Sequence, residues 1–105
     1  MNLKRTYKRA KKKGLEFNLD IEWYKKKLGK GVCAVTKLPF KLKPKNIALN
    51  PYYPAIDRID SSKGYTKDNC QLVVSIFNMI KANYDYTTVE KFCKGFVQIY
   101  EKGEL

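Results

Sequence analysis

The stretch from Ile56 to Lys81 holds the residues best suited to chemistry: Asp57, Arg58, Asp60, Asn69, Asn78 and Lys81, set among mostly apolar neighbours. A carboxylate from a strand and an amide oxygen from the following helix are hard oxygen donors. They suit one magnesium or manganese ion completed by water and a substrate phosphate. The same residues also suit a structural arrangement, with Asp57 and Arg58 in surface ion pairs and Asn78 capping or bonding backbone. Spacing alone leaves both open. The chain contains no histidine, which excludes Ser-His-Asp and Cys-His catalysis, histidine zinc sites and an imidazole general base. Any chemistry must therefore use carboxylates, amides, phenols, Lys, Arg or metal-bound water.

These residues need elements to position them, and 105 residues with 44% apolar and 13% aromatic content are enough for one hydrophobic core. A single domain over 1–105 is expected. No apolar run approaches the roughly 20 residues that span a bilayer, and Met1 to Lys13 lack a signal-peptide core, so a soluble cytoplasmic protein is expected, with no membrane partner. Cys33, Cys70 and Cys93 are odd in number and widely spaced, which argues against a disulfide framework and for reduced, buried small apolar groups.

The net charge is +12, and residues 1–30 supply +8 of it, from 11 basic residues against Glu16, Asp20 and Glu22. Asn2 to Lys13 reads as a helix with Leu3, Tyr7 and Ala10 on one face and Lys4, Arg5, Lys8, Arg9, Lys11, Lys12 and Lys13 over the rest. Gly14 stops it. Seven cations without an acid repel one another unless a polyanion screens them. With Lys25, Lys26 and Lys27 they form the expected DNA-contacting region, acting mainly on phosphates. Nothing in the chain reads as a base-reading module, and Tyr52, Tyr53, Tyr84 and Tyr86 suit packing better than base stacking.

Asp20 predicts a helix cap, with Ile21, Tyr24 and Leu28 on the buried face and Gly29 and Gly31 at the end. Val32 to Phe40 reads as a short hairpin or turn and 41–54 as an irregular connection. Ala55 to Asp60 and Cys70 to Val74 predict two strands around a turn at Ser61 to Tyr65. Ser75 to Ala82 predicts a helix, apolar at Ile76, Phe77, Met79 and Ile80, with Asn78 and Lys81 on one side. A last helix over 87–101 has Thr87 and Glu90 as a capping box. Its stripe of Val89, Phe92, Cys93, Phe96, Val97 and Tyr100 is expected to cover the core.

The segment NPYYPAIDRIDSSKGYTKDNCQLVVSIFNMIKAN resembles the core of the HNH endonucleases, within the His-Me finger or ββα-metal group, in a phage and bacterial branch whose first motif reads Asp-Arg-Ile-Asp. RAKKKGLEFNL and CAVTKLPF resemble that branch too. The resemblance implies an α+β fold: a small ββα-metal core over 32–83, flanked by N-terminal basic helices and a C-terminal packing helix. Matched residue by residue, Asp57 and Asn78 fall on the metal ligands, Asn69 on the loop-stabilising amide and Lys81 on the trailing lysine. It implies a Mg2+- or Mn2+-dependent DNA endonuclease in a bacterial or phage-infected cell.

Two departures qualify that expectation. Many relatives hold a structural zinc through two CxxC pairs, but the matching positions here are Cys33 and Thr36, then Val74 and Phe77. Four thiolates cannot be assembled, so no structural zinc is expected and Val74 and Phe77 should pack in its place. The general-base histidine is replaced by Arg58. A guanidinium stays protonated and cannot take a proton from water, though it can bind phosphate bidentately and stabilise a transition-state charge. Asp60 is then the nearest candidate base, with Tyr65 behind it; an Arg58–Asp60 ion pair fits equally well. The alternative function is a catalytically degenerate HNH fold kept as a DNA-binding or inhibitory module.

Overall fold

The computed structural model describes residues 3–105; the predicted start of the first helix at Asn2 lies outside them. The fold is mixed α+β. In chain order come α1 (Leu3–Lys12), α2 (Ile21–Gly29), a 3-10 turn (Ile47–Leu49), β1 (Pro54–Arg58), β2 (Cys70–Val74), α3 (Ser75–Lys81) and α4 (Tyr86–Lys102). The two strands form one antiparallel ladder with Ile56 opposite Leu72, Asp57 opposite Gln71 and Arg58 opposite Cys70.

Because side chains alternate along a strand, the ladder presents two different faces. Ile56, Cys70 and Leu72 face one cluster, built with Ala10 of α1, Leu19, Trp23 and Tyr24 of α2, and Tyr65. Val73 and Val74 meet Cys33, with Val35, Ala55 and Phe77 packed around them. Val74 and Phe77 therefore sit beside Cys33 in an apolar cluster. Among the described residues no group of three or more His, Cys, Asp or Glu is placed to hold a metal ion.

Local signals act as their chemistry dictates. Gly14 ends α1 at φ 68°. Asp20 caps α2, accepting the Trp23 amide at 2.8 Å. Phe17 bridges to Tyr65, and Asn50, buried, donates to the carbonyls of Lys41 and Pro44 and accepts the Tyr52 amide, which organises the long connection.

Several expectations fail. Ile21, in the first turn of α2, is exposed, and Trp23 and Tyr24 take the inward face. On α1 the buried residues are Thr6 and Ala10, while Tyr7 stays half-exposed, edge-on to the Phe17 ring. β1 stops at Arg58 and does not reach Asp60. α4 is capped not by Thr87 but by Asp85, whose carboxylate accepts the Thr88 amide at 2.8 Å and so starts the helix earlier. α3 turns Ser75 and Lys81 inward and leaves Ile76, Met79 and Ile80 outside. α4 does not cover the core: only Val89 is buried, while Phe92, Phe96, Val97 and Tyr100 are exposed. Cys93, on that stripe, is exposed as well, unlike Cys33 and Cys70.

Candidate functional site

The ββα unit positions the polar residues as its register requires. Asp57, next to the end of β1, turns toward α3 and is 1% exposed. Lys81, at the end of α3, is equally buried and donates from Nζ to Asp57 Oδ1 at 2.9 Å and to the Arg58 carbonyl at 2.7 Å. The other carboxylate oxygen, Oδ2, accepts from Gln71 Nε2 at 3.2 Å and from the Tyr86 hydroxyl at 3.0 Å. Gln71 and Tyr86 are also bonded to each other. Burial, then the negative charge and hydrogen bond of Asp57, push the Tyr86 phenol upward, keeping it protonated as a donor.

This cage decides what Asp57 can do. A carboxylate has about four lone-pair sites, and three donors already hold this one, with an ammonium on Oδ1. A divalent cation on that oxygen would compete with the Lys81 ammonium already bonded to it. As placed, Asp57 is held by Lys81, and a Mg2+ or Mn2+ shared with Asn78 would reach it only once that ion pair opens.

Arg58 alternates to the opposite face of β1. Its Nη1 donates to the carbonyls of Ser61 at 2.8 Å and Lys63 at 3.0 Å, and the guanidinium lies 4.7 Å from the centre of the Tyr65 ring. Arg58 thereby holds the turn, using two of its five donors. Asp60 is exposed, and its Oδ1 accepts both the amide and the hydroxyl of Ser62. Those two bonds, with the charges of Lys63 and Arg58, hold its carboxyl below the usual range, which weakens it as a base. No Arg58–Asp60 ion pair forms. Asn69 accepts the Asp60 amide and donates to the carbonyls of Asp60 and Gly64, tying the loop closed.

A cleft of about 170 Å3 gathers residues from three parts of the chain: Arg9 and Lys13 from the basic start, Asp57, Arg58, Ser61 and Tyr65 from the hairpin, and Asn78, Lys81 and Asn83 from α3 and its exit. Asp57 and Lys81 neutralise each other there, so the charges left are Arg9, Lys13 and Arg58, all positive. The helix α1 continues the cationic surface, with Lys4, Arg5, Lys8, Lys11 and Lys12 exposed, Arg5 lining an adjoining cleft that Arg9 and Asn78 share. Lys25 and Lys26 of α2 are exposed and Lys27 half-buried; Lys27 lines a separate cleft with Lys30, Lys37 and Lys67.

The structure thus brings Asp57, Arg58, Asn78 and Lys81 to one place and leaves Asp60 apart from them. Sequence reasoning missed Gln71 and Tyr86 as partners of Asp57. Gln71 was available from the strand register, as the residue opposite Asp57; Tyr86 lies in the following helix and no local pattern points to it.

No protein-family model matches the chain, and no solved structure matches it. The chain is similar to an uncharacterized 29.0 kDa protein in the dda-modA intergenic region of Enterobacteria phage T4, with 30% identity over 82 residues. That alignment covers 78% of this chain but 31% of the phage protein, so the chain spans about a third of the length of its relative. Among the described residues no helix is long and apolar enough to cross a membrane.

Proposed function

We propose that the chain binds DNA through phosphate contacts, using an HNH-like ββα unit as a rigid frame and not as a metal-dependent catalyst. The observation that carries this reading is the cleft itself. Its free charges, Arg9, Lys13 and Arg58, are all cationic, while the carboxylate that would hold a metal is sealed by Lys81. Charge on α1 without intervening acids supplies the wider electrostatic surface, and its side chains point outward where a polyanion can reach them.

Fluorescence anisotropy with a duplex of arbitrary sequence, repeated across salt, tests the proposal. About 6 to 10 phosphate contacts lower affinity by roughly 1,000 to 100,000-fold between 50 and 200 mM salt. Replacing Arg9 and Lys13 by alanine should weaken binding to all sequences alike and reduce the salt slope by about two. Salt-independent binding, or an unchanged slope in that variant, overturns it.

A second reading, an HNH-type DNA endonuclease that nicks or cuts, is favoured by one observation: Asp57, Arg58 and Asn78 line the same cleft. It requires Lys81 to leave Asp57 when metal and substrate arrive. Conversion of supercoiled plasmid to nicked or linear DNA in Mg2+ or Mn2+, abolished by Asp57→Ala and Asn78→Ala, would establish it. DNA binding without cutting leaves the first reading in place.

A further inference from the structure

We propose that α4 pairs with the α4 of a second copy of this chain, forming a two-fold symmetric dimer. At 17 residues the helix is about 25 Å long. Only its first turns are anchored, through Tyr86 at Asp57 and Phe77, and through buried Val89. The rest stands clear of the body. The radius of gyration is 14.8 Å, with extents of 45 × 30 × 22 Å, against about 13 Å for a compact chain near this length. An unsupported helix of this size is marginal in water unless its apolar face is buried.

That face is continuous. Val89, Phe92, Cys93, Phe96, Ile99 and Tyr100 follow 3,4 spacing, the pattern of a helix-pairing seam. Beyond Val89 nothing among the described residues covers it: Phe92 is 61%, Phe96 53%, Ile99 38% and Tyr100 63% exposed, with the rings of Phe96 and Tyr100 stacked along the helix. With each ring carrying about 150–250 Å2, the three rings leave roughly 350 Å2 uncovered, and Val97 and Ile99 bring the patch to roughly 500 Å2. One such patch is as large as a monomer commonly shows. Two placed together bury about 1,000 Å2, the threshold for a specific protein interface.

Charge selects a second copy over the nucleic acid that suits the rest of the molecule. Residues 86–105 hold Lys91, Lys94 and Lys102 against Glu90, Glu101 and Glu104, so their net charge is zero in a chain of +12. Two copies meeting through this segment bring no net charge to the contact, unlike a contact through the cationic α1. The seam also places a reporter. Cys93 lies within two residues of the midpoint of the Val89–Tyr100 stripe, hence within about 3 Å of it along the axis. A two-fold pairing through that midpoint brings the two Cys93 thiols together in either helix orientation.

Sedimentation equilibrium of the whole chain, with Phe92→Asp and Phe96→Asp beside it, tests the proposal. The parent should dimerise in the micromolar range, and each aspartate should raise the dissociation constant about 30-fold or more. A short bismaleimide should link two parent chains through Cys93, with no product from Cys93→Ser or Phe96→Asp. Both phenylalanines lie outside the core, so the variants keep the body of the fold, checked by a cooperative thermal unfolding transition, even where α4 frays on its own. A parent that is monomeric throughout that range, or a dimer that both aspartates leave intact, overturns the proposal; the crosslink decides on the parent alone should a variant unfold.

Discussion

Removing the Lys81 ammonium should be among the most damaging single changes in this chain. In Lys81→Met the Asp57 carboxylate stays at 1% exposure and loses the partner at 2.9 Å, while the Arg58 carbonyl loses its donor at 2.7 Å. Gln71 and Tyr86 still hold the other oxygen, but neither carries charge. Breaking a buried pair from one side costs about 3–5 kcal/mol, because an uncompensated charge remains in a dry site. Domains of this size hold about 5–15 kcal/mol in total, so the loss lowers Tm by about 12 to 40 °C at 4–8 °C per kcal/mol. The double variant Asp57→Leu/Lys81→Met removes both charges and leaves Gln71 and Tyr86 with the bond they already make to each other, so it should recover much of the loss. Thermal and urea unfolding of the four proteins, followed by circular dichroism, gives the coupling directly. A cost below about 1 kcal/mol for Lys81→Met, the level of an exposed pair, refutes the cage. So does a Tm of the parent that rises with millimolar Mg2+ beyond the rise given by sodium chloride at matched ionic strength and chloride, since that excess reports a metal bound to the folded state.

Other consequences follow from the same geometry. A Cβ on Gly64 would lie 2.5 Å from the Glu16 carbonyl oxygen and 2.8 Å from its amide nitrogen, both backbone; Gly64→Ala should cost about 1–3 kcal/mol by urea titration, and a neutral result would disprove that close approach. Cys33 and Cys70 are buried, and burial raises the Cys70 thiol to about 12, so a disulfide reagent should modify only Cys93 before unfolding; rapid loss of more than one thiol refutes the burial. The raised Tyr86 phenol remains protonated in the fold where the unfolded chain, at its ordinary value of 10.0, has ionised. Its stabilising effect is therefore complete below pH 10 and lost as pH rises through the folded value. The fall in stability above pH 10 should flatten in Tyr86→Phe, and an unchanged slope there counts against the Asp57 contact.

Much of the fold was legible locally. Asp20 and Gly14 punctuate α2 and α1 through capping and left-handed backbone, which depend on neighbours within three or four residues. The bounds of β2 and the coarse α+β architecture follow from β-branched residues between turn signals. The roster of Asp57, Arg58, Asn78 and Lys81 was legible too, since strand and helix periods bring them to one end of the hairpin. Periodicity, however, states only which residues share a face. It does not state whether that face meets the protein: α3 turns Ser75 and Lys81 inward, and the apolar stripe of α4 points to solvent. Nor does it choose partners across 24 residues, the separation of Asp57 and Lys81. Sequence by itself determined the elements, the cationic start and the absence of imidazole chemistry, because these depend on composition and short-range geometry. Tertiary structure alone decided that Asp57 is locked by Lys81, Gln71 and Tyr86, that Arg58 braces the turn and that α1 lies along the cleft. Those outcomes rest on desolvation and on contacts between segments far apart in the chain.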